Sequence, residues 1–133
     1  MPNIETIGEC SQRYDVLLHK IDSAQSEISL LSSRSSVNPE EYHARIRELE
    51  RTIFHLSDEA DQVYALLAHS ISVSVDRRYR EMMADLLLRR RRRADIADAY
   101  HYNYFYLCHV LASYFRHPVL PISEETADGE GIA

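Results

Sequence analysis

The stretch "IGECSQRYDVLLHKIDSAQSEISLL", residues 7–31, carries apolar or small side chains at steps that alternate between three and four residues. This repeat places one side-chain seam along a helix and is typical of coiled coils. Thr6 and Glu9 have the spacing of a capping box, which satisfies the unpaired N–H groups at a helix start. We therefore predict a helix over about residues 6–32, with a seam made of Ile7, Cys10, Tyr14, Leu17, Ile21, Ala24, Ile28 and Leu31.

A second helix is predicted over about residues 39–70, because Asn38 suits an N-cap and Pro39 suits the first helical position. Its seam repeats the same steps and consists of Tyr42, Ile46, Leu49, Ile53, Leu56, Ala60, Val63 and Leu67. If the two helices fold back on each other, the numbers of facing seam residues add up to 73 or 74. We predict an antiparallel coiled-coil-like helical hairpin over 1–72, with arms roughly 40 Å long. The alternative is two amphipathic helices in separate places.

The remaining chain is predicted to form one further helix and a tail. The segment 69–76 alternates small polar and β-branched residues, which indicates either a short extended link or a frayed helix end. Asp76 is a suitable N-cap for the next element. Because no glycine or proline interrupts residues 77–117, we predict a long Arg/Tyr-rich helix within 73–117 that ends at Pro118 and either overhangs the hairpin or bends near the arginines. Residues 118–133 form an acidic tail that we expect to be mobile.

Composition favours an all-α, intracellular protein. The 133 residues include only three glycines and four prolines, which favours helices. A net charge of -6 argues against a dedicated nucleic-acid binder, although a local basic patch remains compatible with it. Cys10 and Cys108 lack metal-binding spacing, so we expect reduced thiols in the cytoplasm or nucleus. We find no secretory signal and expect no membrane insertion, because no apolar run approaches the length of a bilayer span.

Five consecutive arginines form the arginine run, which consists of Arg89, Arg90, Arg91, Arg92 and Arg93. On a helix they would circle the whole axis, because successive residues turn by about 100°. Three interpretations are open. The arginine stems cover apolar neighbours while their charges stay in water. They form ion pairs with an acidic partner or with residues such as Asp85, Asp95, Asp98 or the tail. They contact nucleic-acid phosphates or act as a nuclear import signal.

Aromatic side chains crowd residues 100–115 and would wrap most of the circumference of a helix. A helix of a small isolated domain needs only one apolar stripe. Tyrosine is also typical of interfaces, because its ring buries area while its hydroxyl keeps a polar partner. We therefore predict a subunit interface; an internal core and base stacking are the alternatives. The predicted partner-binding residues are Tyr102, Phe105, Tyr106, Leu111 and Phe115.

No pattern in the chain indicates a reaction. His101 and Cys108 lie seven residues apart on one predicted helix face, and His109 follows, but a structural zinc site requires four ligands. The acidic residues 58, 59 and 61 are explained as exposed helix positions. Nucleotide-binding and hydrolase motifs are lacking. We expect no catalytic residues, no metal and no cofactor, and therefore no enzyme.

One short resemblance concerns the end of the predicted third helix. The peptide "AYHYN" at 99–103, followed by Leu120 and Pro121, is similar to part of the helical domain in GINS replication-complex subunits. That family places a basic cluster and a cysteine directly before its Ala-Tyr pair, whereas Arg93 lies further upstream here. The resemblance implies a helical subunit of a replication-type complex.

These features together predict a non-enzymatic helical interaction subunit or adaptor of a larger assembly. It would dock through the aromatic third helix, with Arg89–Arg93 orienting a protein partner or a second copy of the chain. One alternative is a nucleic-acid-associated subunit that binds through the arginine run. We favour a protein partner over nucleic acid. Another alternative is a chaperone-like helper that masks a hydrophobic segment of its partner.

Overall fold

A computed structural model of the chain describes residues 4–33 and 39–122. The described residues form α-helices and no strand beyond one isolated bridge between Thr6 and Pro118, so the all-α class is confirmed. The five helices are α1 (Ile7–Ser33), α2 (Pro39–Ser74), α3 (Arg77–Leu87), α4 (Arg93–Ala99) and α5 (Tyr104–Phe115).

The predicted helix starts are confirmed where the structure describes them. The Glu9 N–H donates to Thr6 Oγ1 over 3.2 Å, and the Thr6 N–H donates to Glu9 Oε1 over 3.1 Å, which completes the capping box before α1. Asp76 caps α3 by accepting from the Arg78 N–H over 3.0 Å. Pro39 is the first residue of α2, whereas the predicted cap Asn38 lies outside the described residues.

The segment after the predicted second helix is helical, because α2 continues to Ser74. Its alternating pattern fits a helix here because Ser70, Ile71 and Val75 are all buried. The buried Ser70 hydroxyl accepts a hydrogen bond from the Leu120 N–H over 2.9 Å. Of the two interpretations of this segment, the extended link is therefore wrong, and the segment contains the end of a helix.

The predicted long helix over 73–117 is also wrong, because three shorter helices occupy this part of the chain. Arg90 follows the end of α3 and His101 follows the end of α4, and their φ angles of 57° and 58° lie in the left-handed region that breaks a right-handed helix. At His101 the break is a Schellman motif. The His101 N–H donates to the Asp98 carbonyl over 3.3 Å, and the Tyr102 N–H donates to the Ala97 carbonyl over 2.9 Å.

The chain divides into two compact units. The larger unit contains residues 4–12 and 64–122 of the described chain, and the smaller unit contains residues 13–33 and 39–63. The predicted boundary after residue 72 therefore falls inside the larger unit. Of the predicted tail, residues 118–122 belong to the larger unit and residues 123–133 lie outside the described part.

The larger unit buries side chains from both chain segments that compose it. Its fully buried residues are Ile7, Cys10, Leu67, Ser70, Val75, Met82, Met83, Ile96, Leu107 and Leu111. The Ile7 N–H donates to the His117 carbonyl, and the Val119 N–H donates to the Glu5 carbonyl, so the start of the chain pairs with the segment after α5. Gly8 permits a close approach at this place, because an added Cβ would lie 3.1 Å from Phe115 Cβ.

Two ion pairs join α1 to α2 in the smaller unit. Arg13 pairs with Glu59, and Arg45 Nε lies 2.7 Å from Glu27 Oε2. Residue numbers rise along α1 while they fall along α2, so the helices are antiparallel at these contacts. Every position of both predicted seams is buried or half-buried. The coiled-coil packing of the seam side chains stays a prediction.

Replacement of His101 by glycine is expected to stabilise the fold, because glycine adopts positive φ without a clash from a side chain. We expect His101→Gly to raise the free energy of unfolding by about 1 kcal/mol. Urea denaturation followed by circular dichroism measures the change. His101→Ala is the control, because alanine keeps the Cβ; an equal gain in both variants would contradict strain at this residue.

Candidate protein-interaction surface

The arginine run is exposed, and much of its charge is paired within the chain. Arg89 Nη1 lies 2.5 Å from Asp85 Oδ1 and 3.0 Å from Glu81 Oε1. Arg91 Nη1 lies 3.5 Å from Asp85 Oδ2. The ion pairs predicted within the chain are confirmed for Asp85. The run emerges from a helix end because Arg90 turns the backbone away from the α3 axis.

Asp85 is the acceptor on which this arrangement converges. Its side chain is only 10% exposed, and Tyr100 donates its hydroxyl proton to Asp85 Oδ2 over 2.8 Å. Burial of Asp85 by itself raises the pKa of the carboxyl, but hydrogen bonds from Tyr100 and Arg89 outweigh it and hold the pKa below its ordinary value. Burial and the bond to Asp85 raise the pKa of the Tyr100 hydroxyl. Asp85 is therefore ionised and Tyr100 neutral at neutral pH.

The end of the run turns toward α5. Arg92 Nε donates to Asp95 Oδ2 over 3.1 Å, which confirms the pairing predicted for Asp95. Arg93 Nη1 lies 3.8 Å from the sulfur of Cys108, a half-buried thiol on α5. Within the described chain Arg93 has no carboxylate partner. This contact places one guanidinium beside the first turns of α5.

Three consecutive aromatic residues, Tyr104, Phe105 and Tyr106, open α5 and are here called the aromatic turn. Their exposed fractions are 44%, 80% and 46%. Asn103 caps the helix, because its side-chain oxygen accepts from the Phe105 N–H over 2.9 Å. Cys108 lies one helical turn after Tyr104, so Arg93 borders the aromatic turn. The result is an exposed aromatic surface with a guanidinium at its edge that has no carboxylate partner in the described chain.

A cluster of tyrosine side chains packs against one residue of the aromatic turn, Tyr106. The Tyr79 and Tyr106 hydroxyl oxygens lie 2.7 Å apart in a hydrogen bond. The Tyr79 ring also contacts the rings of Tyr102 and Tyr114, with centroids 6.2 and 6.1 Å away. The hydrogen bond to Tyr106, with burial as the next cause, raises the pKa of the Tyr79 hydroxyl. Tyr106 is thus fixed in position by a buried ring, whereas Phe105 projects outward.

The predicted partner-binding residues divide into exposed and internal ones. Phe105 and Tyr106 are exposed, whereas Leu111 is only 2% exposed and packs in the core of the larger unit. The prediction of Leu111 as a contact residue is therefore wrong. Tyr102 and Phe115 are half-buried in contacts within the chain. The rings of Tyr102 and Tyr106 contact each other in a tilted arrangement, with centroids 5.6 Å apart, and Phe115 lies against Gly8.

Tyr104 was not among the predicted contact residues, because on one continuous helix it shares a side with Leu107 and Leu111. Its exposure follows from the helix start at this position. The available signal was Asn103, a residue type that favours the position before a helix and is followed by an apolar run.

The residues considered for metal binding are not brought together. Within residues 4–33 and 39–122, no group of three or more His, Cys, Asp or Glu side chains has the arrangement of a metal site. His101 and His109 are exposed, and Cys10 is buried, which raises the pKa of its thiol to about 11. In the same residues, none of the helices has both the length and the apolar character required of a bilayer span.

Comparison with protein families, curated proteins and solved structures gives no match to this chain. The resemblance of "AYHYN" to GINS subunits therefore rests on those residues alone.

Substitution of Asp85 by asparagine is expected to destabilise the fold, because Arg89 and Arg91 lose their anionic partner. We expect a loss of about 2 kcal/mol at neutral pH, since the carboxylate is nearly buried but the guanidinium groups reach solvent. Chemical denaturation measures it, with Asp98→Asn as the control, because Asp98 is exposed and has no ion pair in the described chain.

The same comparison has a definite pH dependence. Because the pKa of Asp85 is lowered in the folded state, its contribution is complete above the ordinary value of 3.8 and is lost as the pH falls through the lower folded value. The difference between the wild type and Asp85→Asn should therefore shrink in acid. A difference that stays constant across this range would contradict the role assigned to the Asp85 carboxylate.

Proposed function

We propose that this chain is a non-enzymatic helical interaction subunit or adaptor that docks a protein partner through the aromatic turn. The observation that carries the proposal is the exposure of Tyr104, Phe105 and Tyr106, with Phe105 at 80%. Isolated exposed apolar residues are common on proteins, but three consecutive aromatic rings on a rigid helix start are the kind of anchor that interfaces use.

Arg93 gives the partner a preferred charge. It borders the aromatic turn and lacks a carboxylate in the described chain, whereas Arg89, Arg91 and Arg92 have theirs. A partner that offers an apolar pocket for Phe105 and a carboxylate for Arg93 fits this surface best. Such a charge contributes more to orientation and association rate than to affinity.

The ion pairs within the chain also bear on the nucleic-acid alternative. Phosphate binding draws its affinity from arginine charges that release counterions, and three of these arginines face carboxylates instead. The chain's own acids therefore reduce the field that a phosphate would meet, which favours a protein partner. Two thiols without a disulfide support an intracellular setting for it.

Truncation of the most exposed ring tests the proposal. We expect Phe105→Ala to weaken co-purification of the full chain with its partner by about 30-fold in affinity, the loss of one aromatic anchor. The stability of the isolated chain should not change, because the ring makes its main contact with another exposed ring, that of Tyr104. Co-purification from native cells, followed by titration of the captured partner, measures the affinity, and urea denaturation of the isolated chain measures its stability.

Phe54→Ala provides a matched control, since Phe54 is 71% exposed on α2, in the other unit. An equal effect of both substitutions, or none from Phe105→Ala, would contradict docking through the aromatic turn. Retention of a labelled DNA or RNA duplex, with a steep salt dependence that disappears in Arg91→Glu and Arg92→Glu, would favour the nucleic-acid alternative instead. Light scattering on the purified chain shows whether the partner is a second copy.

A further inference from the structure

The ion pairs of the smaller unit form an incomplete ladder. Arg13 pairs with Glu59, and Glu27 pairs with Arg45, and each pair of residue numbers adds up to 72. The two pairs are fourteen residues apart on α1, or two heptads. Halfway between them the same relation selects Lys20 and Thr52. Each flanking position combines a cation with a carboxylate. The middle position combines the cation of Lys20 with the hydroxyl of Thr52.

An open groove of about 570 Å³ lies at this middle position, and both Lys20 and Thr52 line it. Val16 and Leu56 supply its apolar lining. Lys20 is the only lysine of the chain, and within the described residues no carboxylate pairs with it. The carboxylate of the groove itself, Asp15, lies 3.6 Å from His19 Nδ1. The groove thus combines apolar side chains with an ammonium group that has no carboxylate partner in the described part of the chain.

Two exposed apolar residues lie on one side of α1, and one of them, Val16, lines the groove. Val16 is 37% exposed and Leu30 is 58% exposed, and they lie fourteen residues apart with Ser23 midway. Residues seven apart share one side of a helix, so these three positions form a line parallel to the α1 axis. The line is roughly 21 Å long, which matches about fourteen residues of a second helix laid beside it.

We infer that this groove receives an amphipathic helix of a partner protein, which presents apolar side chains to Val16, Leu56 and Leu30 and a carboxylate to Lys20. Charge selects the occupant. The flanking cations Arg13 and Arg45 have carboxylates from the chain itself, whereas no carboxylate of the described residues pairs with Lys20, so an acidic side chain of the occupant would complement it. This surface lies in the smaller unit and does not depend on the aromatic turn.

A pair of designed peptides tests the inference with the full chain. Each peptide has roughly three heptads, with leucine at the seam positions and either glutamate or lysine at the flanking positions, so that repulsion keeps it monomeric. Fluorescence anisotropy of labelled peptides measures binding. We expect the glutamate peptide to bind about tenfold more tightly than the lysine peptide, and the difference to decrease as salt is added.

Two substitutions identify the groove as the site. Lys20→Glu is expected to reverse the preference between the two peptides. Thr52→Glu supplies the missing carboxylate within the chain, so it should weaken binding of the glutamate peptide several-fold while raising Tm by about 2 °C. Because this variant gains stability, its loss of binding does not come from unfolding.

Phe54→Ala and Phe105→Ala serve as controls and should leave peptide binding unchanged, which separates this inference from the function proposed for the aromatic turn. Equal binding of the two peptides, or no change in Lys20→Glu, would overturn the inference. It is also overturned if the purified chain forms a dimer that Lys20→Glu dissociates, because the occupant is then a second copy of the chain.

Discussion

The carboxylate of Asp85 is the group on which the arrangement of the last three helices depends. It is nearly buried at the end of α3, where an uncompensated charge costs several kcal/mol. Tyr100 donates its hydroxyl proton to this carboxylate over 2.8 Å. On one continuous helix, fifteen residues would separate Tyr100 from Asp85 by about 22 Å. The hydrogen bond therefore requires the helix to end and turn back between the two residues.

The turn at Arg90, which makes this possible, and the later turn at His101 both carry a conformational cost. Arg90 and His101 adopt left-handed backbone angles, each at a cost of about 1–2 kcal/mol for a residue with a Cβ. Hydrogen bonds at the helix ends offset part of it, including the Arg91 N–H to the Asp85 carbonyl at 3.0 Å. Because the backbone turns at Arg90, the arginine run does not continue α3. On a continued helix, some guanidinium groups would have pointed into the core. All five arginines reach solvent instead, and Arg89, Arg91 and Arg92 meet carboxylates.

The sequence predicted the features that depend on neighbouring residues. The capping box of Thr6 and Glu9, the cap at Asp76 and the buried or half-buried positions of both apolar seams follow from local spacing, and the structure has all of them. Neither glycine nor proline marks the breaks at Arg90 and His101 in the sequence. Contacts between residues distant in sequence stabilise these breaks, so local spacing did not predict them. The prediction of Leu111 as a contact residue failed because the breaks were not predicted. It assumed one continuous helix whose apolar circumference had to be buried by a partner.

The exposure of the aromatic turn is a direct consequence of the second break. A helical side chain leans toward the N-terminus and covers the turn that precedes its own Cα. On a continuous helix, the rings of Tyr104 and Phe105 would lie over residues 100–102. Because α5 begins at Tyr104, no preceding helical turn of α5 exists for them to cover, and the rings extend past the helix end into solvent. The turn that leaves Phe105 exposed directly follows Tyr100, the hydroxyl donor to Asp85, so the helix that supplies this donor ends where the exposed aromatic surface begins.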